Sequence, residues 1–143
     1  MRISTKGRYS LEALLHIALL PPGDLASTRA IAEATSISEG YLEQLFIPLR
    51  KAGIVQGIRG PLGGYLLNRE PEEIRVGDIL RIVEGPLELV ECVNSEVCPK
   101  EAGCMSKHTW SELYQEISRC VDSITLMDLV SAYHAMDQPE YVI

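Results

Sequence analysis

From Ser27 to Asn68 the chain carries its own start and stop signals, spaced so closely that only two brief helices and a hairpin fit between them. Ser27 can cap a short helix running through Ala34, and Ser38 can cap a second from Glu39 to Ala52, because a serine oxygen accepts from an otherwise unpartnered N–H of the first turn. Gly53 suits the left-handed residue that ends such a helix. Pro48 lies inside it, and its missing N–H predicts a kink or a tightened final turn. Residues Ile54 to Ile58 and Tyr65 to Asn68 then read as two strands. They are joined by Arg59-Gly60-Pro61-Leu62-Gly63-Gly64, a run built for tight reversal.

Two short helices joined by a tight turn need a small residue where they cross and apolar residues that lock the second onto the first. Ala32 supplies the first requirement, Leu42 and Leu45 the second, and Ser36 and Ile37 fall in the turn. Glu39, Gly40, Glu43 and Gln44 are left toward the exposed N-terminal side of the second helix. In a helix-turn-helix this is the part that reaches base edges in the major groove, where Gln suits adenine and Glu accepts from cytosine. Ser38 and Gly60 join the candidate DNA-contacting set, and Tyr41 is placed to touch phosphate or sugar. A hairpin directly after the helix pair reads as a wing with Arg59 at its tip, suited to the strong negative potential of a narrow minor groove.

The flanking segments are helical. Leu11, Leu14, Leu15, Ala18 and Leu19 recur at helical spacing between Tyr9 and Leu20, before Pro21-Pro22-Gly23 ends the element. A short helix is expected from Val76 to Glu84, stopping at Gly85-Pro86. After an irregular stretch to about Met105, Ser106 is expected to cap a long helix bearing a stripe of Trp110, Leu113, Tyr114, Ile117, Val121 and Ile124. Thr125 and Asp128 form a capping box for a last helix ending near Met136. The fold expected is mainly α: a winged helix-turn-helix domain over 1–84, a cysteine loop over 85–105, and dimerisation helices over 106–143 dominated by the long one.

A net charge of −7, taken as an average, argues against nucleic acid, since phosphate contacts supply much of DNA affinity. The distribution removes the objection. Residues 1–70 hold 8 Lys+Arg against 6 Asp+Glu, and residues 71–143 hold 5 against 14, so the halves are +2 and −9. Arg2, Lys6, Arg8, Arg50, Lys51 and Arg59 can form a basic face with the acidic half turned away. A hydrophobic content of 46% excludes a disordered chain. The longest apolar stretch, Leu11 to Leu20, falls short of the roughly 20 residues that span a bilayer. No secretory leader is read at the start, so the cytoplasm and reduced cysteines are expected.

Cys92, Cys98 and Cys104 stand at C-x(5)-C-x(5)-C in the irregular acidic loop, off any apolar stripe. Three thiolates in a reducing compartment suit a soft metal or an iron–sulfur cluster. Zinc is the weaker reading because the paired C-x-x-C knuckles of structural zinc sites are missing. His108 is the nearest candidate for a fourth ligand. Cys120 reads as interface or core packing, and His16 and His134 as structural. No nucleotide loop and no nucleophile arranged with a base is present, so an enzyme is not expected.

Met1 to Tyr9, the run Ile37 to Phe46, the wing Arg59 to Tyr65, and Val76-Gly77-Asp78-Ile79 followed by the cysteine triplet resemble the winged-helix repressor family of the iron–sulfur cluster regulators, which includes the IscR, NsrR and CymR types. The resemblance covers nearly the whole chain. It implies a homodimer joined through the long helix, binding to a double-stranded DNA operator, and control of iron–sulfur cluster assembly or a related stress response, with cluster-assembly proteins as further candidate partners. The IscR type implies a 2Fe–2S cluster on three cysteines and a histidine, mapping onto Cys92, Cys98, Cys104 and the position held here by Lys107. His108 is one residue on, a rotation of roughly 100° about a helix. NsrR-type relatives use a carboxylate of the first helix for a 4Fe–4S cluster; Arg8 occupies the matching position here, with Glu12 the remaining candidate, so 2Fe–2S is preferred. Glu43 carries over as a residue whose exposure the cluster controls, whereas Gly40 replaces a polar contact residue. The alternative within the resemblance is a cluster-free, thiol- or partner-responsive repressor of the CymR type.

Overall fold

A computed structural model describes residues 2–90, 93 and 105–137. Its elements run α1 (Thr5–Leu19), α2 (Thr28–Thr35), α3 (Glu39–Lys51), β1 (Val55–Ile58), β2 (Gly64–Leu67), α4 (Val76–Glu84), α5 (Lys107–Ser123) and α6 (Leu126–Asp137). The serine caps act as expected. Ser27 Oγ accepts from Ala30 N at 3.0 Å, and Ser38 Oγ accepts from Tyr41 N at 3.2 Å. Between the two helices, Ser36 adopts left-handed backbone with φ 60°, the one non-glycine residue with positive φ among the described residues.

The end of α3 is tightened behind Pro48. Gly53, at φ 76°, donates to Arg50 O at 3.0 Å, and Ile54 donates to Leu49 O at 3.0 Å. These are the two bonds of a Schellman motif. Its apolar partners Ile54 and Leu49 are both buried in the core. The chain leaves α3 directly into β1, which pairs antiparallel with β2 in the register Val55↔Leu67 to Ile58↔Gly64. β1 starts one residue later than expected, and β2 is shifted one residue toward the turn, since Gly64 already pairs while Asn68 lies one step past the ladder.

A third segment joins this small sheet. Ala26 N donates to Tyr65 O at 2.9 Å and Tyr65 N donates to Ala26 O at 2.8 Å. A Cβ on Gly64 would meet Ala26 O at 2.5 Å, so a residue without a side chain is what lets the two backbones close. Phe46 of α3 stacks on Tyr65 of β2 with centroids 4.1 Å apart and planes inclined by 17°. The wing is thereby fastened to α3 and to the segment that leads into α2.

One core unites these parts. Leu14 and Ile17 of α1, Ile31 of α2, Leu42, Leu45, Phe46 and Leu49 of α3, Ile79 of α4 and Leu126 of α6 are all in it. The capping box of α6 forms as expected, with Asp128 N donating to Thr125 Oγ1 at 3.2 Å and Thr125 N donating to Asp128 Oδ2 at 2.8 Å. Ahead of it, Val76 N donates to Ile124 O at 2.9 Å and Leu126 N donates to Ile74 O at 2.8 Å, tying the link between α5 and α6 to the start of α4.

Three expectations are corrected. First, α1 starts at Thr5 rather than Tyr9. Its first turn carries no apolar periodicity because it is held by polar groups: Ser4 Oγ accepts from Lys6 N, and Glu84 Oε1 accepts from Ser4 N at 2.8 Å, Ser4 Oγ at 2.6 Å and Gly7 N at 2.9 Å. Second, Ser106 lies in helical backbone (φ −105°, ψ −4°) and makes no side-chain cap bond, so α5 lacks the serine cap expected of it. Third, Cys120 is exposed within the chain, since no residue of α5 is buried, which removes the core half of its expected role and leaves the interface half. The helix meets the rest of the chain through α4, where Arg81 donates to Asp122 at 2.6 and 3.0 Å. His16 is half-buried, while His134 is exposed with its ring edge-on to Tyr133 at 6.0 Å.

The Ser4 hydroxyl, followed by the Gly7 and Ser4 amides, holds the Glu84 carboxyl below the usual glutamate range. A carboxyl depressed in the folded state stabilises above its unfolded value of ~4.3, and that contribution is lost as pH falls through the lower folded value. Glu84→Gln is therefore expected to lower stability by about 1–2 kcal/mol at pH 7, measured by denaturant unfolding. The gap between the two proteins should close on acidification below about pH 4. An equal gap at both pH values would contradict the assignment.

Candidate nucleic-acid interface

The amphipathic division of α3 decides which of its residues can meet another molecule. Leu42, Leu45, Phe46 and Leu49 face the core, and Glu39, Gly40, Glu43, Gln44, Ile47, Arg50 and Lys51 are exposed. Ser38 is exposed at its N-terminus. Inward apolar residues at helical spacing force this outward set onto the opposite side.

Hollows flank α3 on two sides. An open groove of about 430 Å³ lies between the starts of α2 and α3 and the wing, lined by Thr28, Arg29, Glu39, Arg50, Arg59 and Tyr65 among others. It brings together two residues of the expected site from α3 with Arg59 and Gly60 from the wing. The Arg50 guanidinium reaches across to the wing base, 3.9 Å from where a Cβ on Gly57 would stand. Three arginines against one carboxylate give the named charges of this groove a positive balance, although the acidic half makes the whole chain −7.

The second hollow is lined by Lys6, Tyr41, Gln44, Leu45, Pro48 and Val83, so it joins the basic start of α1 to the middle of α3. Tyr41 is half-buried. Its ring meets Tyr9 edge-on at 5.7 Å, and its hydroxyl is 3.3 Å from Thr5 Oγ1. Tyr41 thus fixes the first helix to the recognition helix as well as lining the hollow. Arg8 lies 6.0 Å over the Tyr9 ring.

Thr28 and Arg29 were not among the residues singled out from the sequence. They begin a serine-capped helix beside the groove, and free N–H groups at a helix start favour anions. The capped start was visible; its position next to the wing was not. Arg29 also pairs with Glu33 at 3.1 Å across one exposed turn.

The wing tip is a closed turn in which Gly63 N donates to Gly60 O at 2.9 Å. Arg59, Gly60, Pro61 and Leu62 are all exposed there. Arg59→Ala is expected to weaken DNA binding about tenfold and to reduce the slope of log affinity against log salt by about 1. Titration of a labelled duplex at several salt concentrations measures both. An unchanged slope would remove Arg59 from the interface.

Of the expected cluster ligands, Cys92, Cys98 and Cys104 lie outside the described residues. His108 is at the second position of α5. Its side chain is 88% exposed and its Nε2 is 3.6 Å from Glu112 Oε2, so no packing holds the ring in one direction. Glu12 is exposed on α1.

A helix-turn-helix whose recognition helix is followed directly by a hairpin, with arginines gathered between them, defines a winged-helix DNA-binding regulator. Residues 3–132 match the family model Rrf2, described as an iron-dependent transcriptional regulator. The transcriptional regulator CymR of Bacillus subtilis is 41% identical over 142 residues, 99% of this chain and 98% of that one. IscR of Serratia proteamaculans is 39% identical over 131 residues, covering 92% and 80% of the two chains. Among solved structures, CymR, the global cysteine regulator of B. subtilis, superposes with a TM-score of 0.76 at 41% identity, covering 92% of this chain and 98% of that one. IscR of T. potens gives 0.78 at 36% identity, covering 98% and 93%. The chain belongs to the Rrf2 family of DNA-binding transcriptional regulators, and it is a regulator rather than an enzyme. No helix among the described residues is long and apolar enough to cross a membrane.

Proposed function

We propose that the chain is a homodimeric repressor that reports iron–sulfur cluster status to genes of cluster biogenesis or a related stress response. The observation that carries the reading is the triplet Cys92, Cys98 and Cys104 immediately ahead of α5, the helix that bears His108. Three thiols and an imidazole are a donor set suited to iron in a cluster, and imidazole in place of one thiolate raises the reduction potential. The exposure of His108 leaves its ring able to turn toward such a group without disturbing the core. A 2Fe–2S cluster is preferred over 4Fe–4S because Arg8 supplies no carboxylate. When bound, the cluster supplies an iron- and redox-dependent cross-link between the cysteine segment and α5.

A second copy of the chain covers the stripe of α5. Trp110, Tyr114, Ile117 and Val121 are half-buried and Leu113 is 41% exposed, along a helix of about 26 Å. The Arg81–Asp122 pair transmits the position of α5 to α4, and the Glu84 bonds carry it on to Ser4 and Gly7 beside Lys6. The dimer then presents recognition helices to half-sites about one DNA turn apart.

A cluster-free repressor answering thiol oxidation or a partner protein is the second reading. It is favoured by Lys107 at the position where the resemblance expects histidine, and by the 41% identity to CymR over nearly the full length of both chains. Anaerobic purification separates the two. Visible absorbance with iron and acid-labile sulfide, lost in Cys98→Ser and weakened in His108→Ala, is the expected result. A colourless, iron-free protein would favour the second reading. An unchanged spectrum in His108→Ala beside Lys107→Ala would remove His108 as a ligand.

A further inference from the structure

A single exposed leucine on a protein surface is ordinary, but Leu62 stands in an unusual place. It is 90% exposed at the apex of the wing. The turn beneath it is closed by the Gly63 N to Gly60 O bond, and Pro61 is the first of its two central residues. A proline there fixes φ before anything binds. The turn is also pinned from below. A Cβ on Gly63 would overlap Ile58 O, and Gly64 lies against the backbone of Ala26. The apex is therefore a preorganised apolar projection, three residues from Arg59 and continuous with the groove that Arg29, Arg50 and Arg59 line.

We infer that Leu62 is a specificity residue of the wing, seated against the minor-groove floor and the deoxyribose walls beside Arg59, where it selects A·T over G·C pairs. The inference rests on the wing entering the minor groove. The chemistry follows from the bases. In the minor groove, A·T and T·A show only acceptors, while G·C adds the guanine N2 amino donor. A leucine over that amino group covers a donor that it cannot satisfy, and an unsatisfied buried donor is costly. Over an A·T pair there is no such group to cover, and the isobutyl side chain displaces water from sugar carbons. An arginine alone senses groove width and potential; the leucine adds a contact that depends on one exocyclic amino group.

The test uses a duplex enriched by the anaerobically purified full-length protein from a random-sequence pool. Hydroxyl-radical footprints of wild type and Arg59→Ala locate the base pairs beneath the wing. Those A·T pairs are then changed to G·C or to inosine·C, which keeps the major-groove pattern of G·C but lacks the N2 amino group. Wild type is expected to bind the G·C duplex about tenfold more weakly than the A·T duplex and to recover on inosine·C. Leu62→Ala and Leu62→Gly should retain the enriched duplex but discriminate A·T from G·C by less than about twofold. Full discrimination by both Leu62 variants would overturn the inference while leaving the wing in place. Identical footprints for wild type and Arg59→Ala would overturn the wing placement itself, and the inference with it.

Discussion

Phe46→Ala is expected to lose about 3–5 kcal/mol of folding stability, a large share of the 5–15 kcal/mol typical of a domain. The ring is 1% exposed, and its stack on Tyr65 at 4.1 Å is an apolar bridge from α3 to the wing. Truncation leaves a cavity in the core that Phe46 shares with Leu42, Leu49 and Val55, and a close-packed core relaxes into such a void only in part. Denaturant unfolding measures the loss. DNA binding supplies a second readout, since a wing released from α3 no longer holds Arg59 across the groove from Arg50. In whatever fraction of Phe46→Ala stays folded at low temperature, affinity should fall by tenfold or more, the penalty of contacts that must be ordered on binding. Phe46→Leu, which keeps most of the volume, should recover part of both. A loss below about 1 kcal/mol would mean that the stack is not what joins the two elements.

The second large effect is expected at Gly77. A Cβ there would overlap the Asp122 carboxylate and stand 2.9 Å from Arg81 Nη1 and 3.0 Å from Val121 Cγ2. Gly77 is the position on α4 where α5 crosses, and the absence of a side chain lets Arg81 and Asp122 meet as a two-pronged pair over it. Arg81 is held more firmly protonated by that bond, and Asp122 is pushed down by the same partner. Gly77→Val forces the helices apart and breaks the pair together with the packing of Val121. Overpacking of this kind costs about 1–3 kcal/mol or more, and thermal unfolding should fall by several degrees. Because α5 has few other contacts within the chain, sedimentation should also show a weakened or lost dimer. Arg81→Ala isolates the polar share: the pair is one-third exposed on each side, so its removal should cost much less than Gly77→Val. If Gly77→Val melts and sediments like wild type, α5 is not docked through this crossing.

The local elements were legible because their signals lie within a turn of one another. Ser27, Ser38 and the Thr125–Asp128 box each join a side chain to a backbone N–H three residues away, so both partners lie within one turn of sequence. Gly53 belongs with them, since the end of α3 needs one left-handed residue at that step. The exposed and buried sides of α3 followed from spacing alone. Arg59 at the wing tip followed from its place in the turn.

Where a residue acts on another far along the chain, the sequence carried no comparable mark. Ser4 looked like a polar residue before the apolar pattern began, yet Glu84, 80 residues away, holds it and starts α1 four residues early. Ala26 carries no strand pattern but closes the sheet on Tyr65. Arg81 and Asp122, 41 residues apart, are unremarkable surface charges until α5 is laid across Gly77. Ser106 has the composition of a cap and the wrong backbone angles for one.

The capped pair of helices and the Gly-rich reversal after them were therefore open to reading from residue order, because helix starts, helix ends and turns are settled by bonds inside short loops whose closure costs little entropy. The gathering of Arg29, Arg50 and Arg59 around one groove, and the fastening of α1 and α5 onto α4, depended on packing one core from distant segments. Those contacts form only when the elements have already been brought together, and no single stretch of sequence contains both partners.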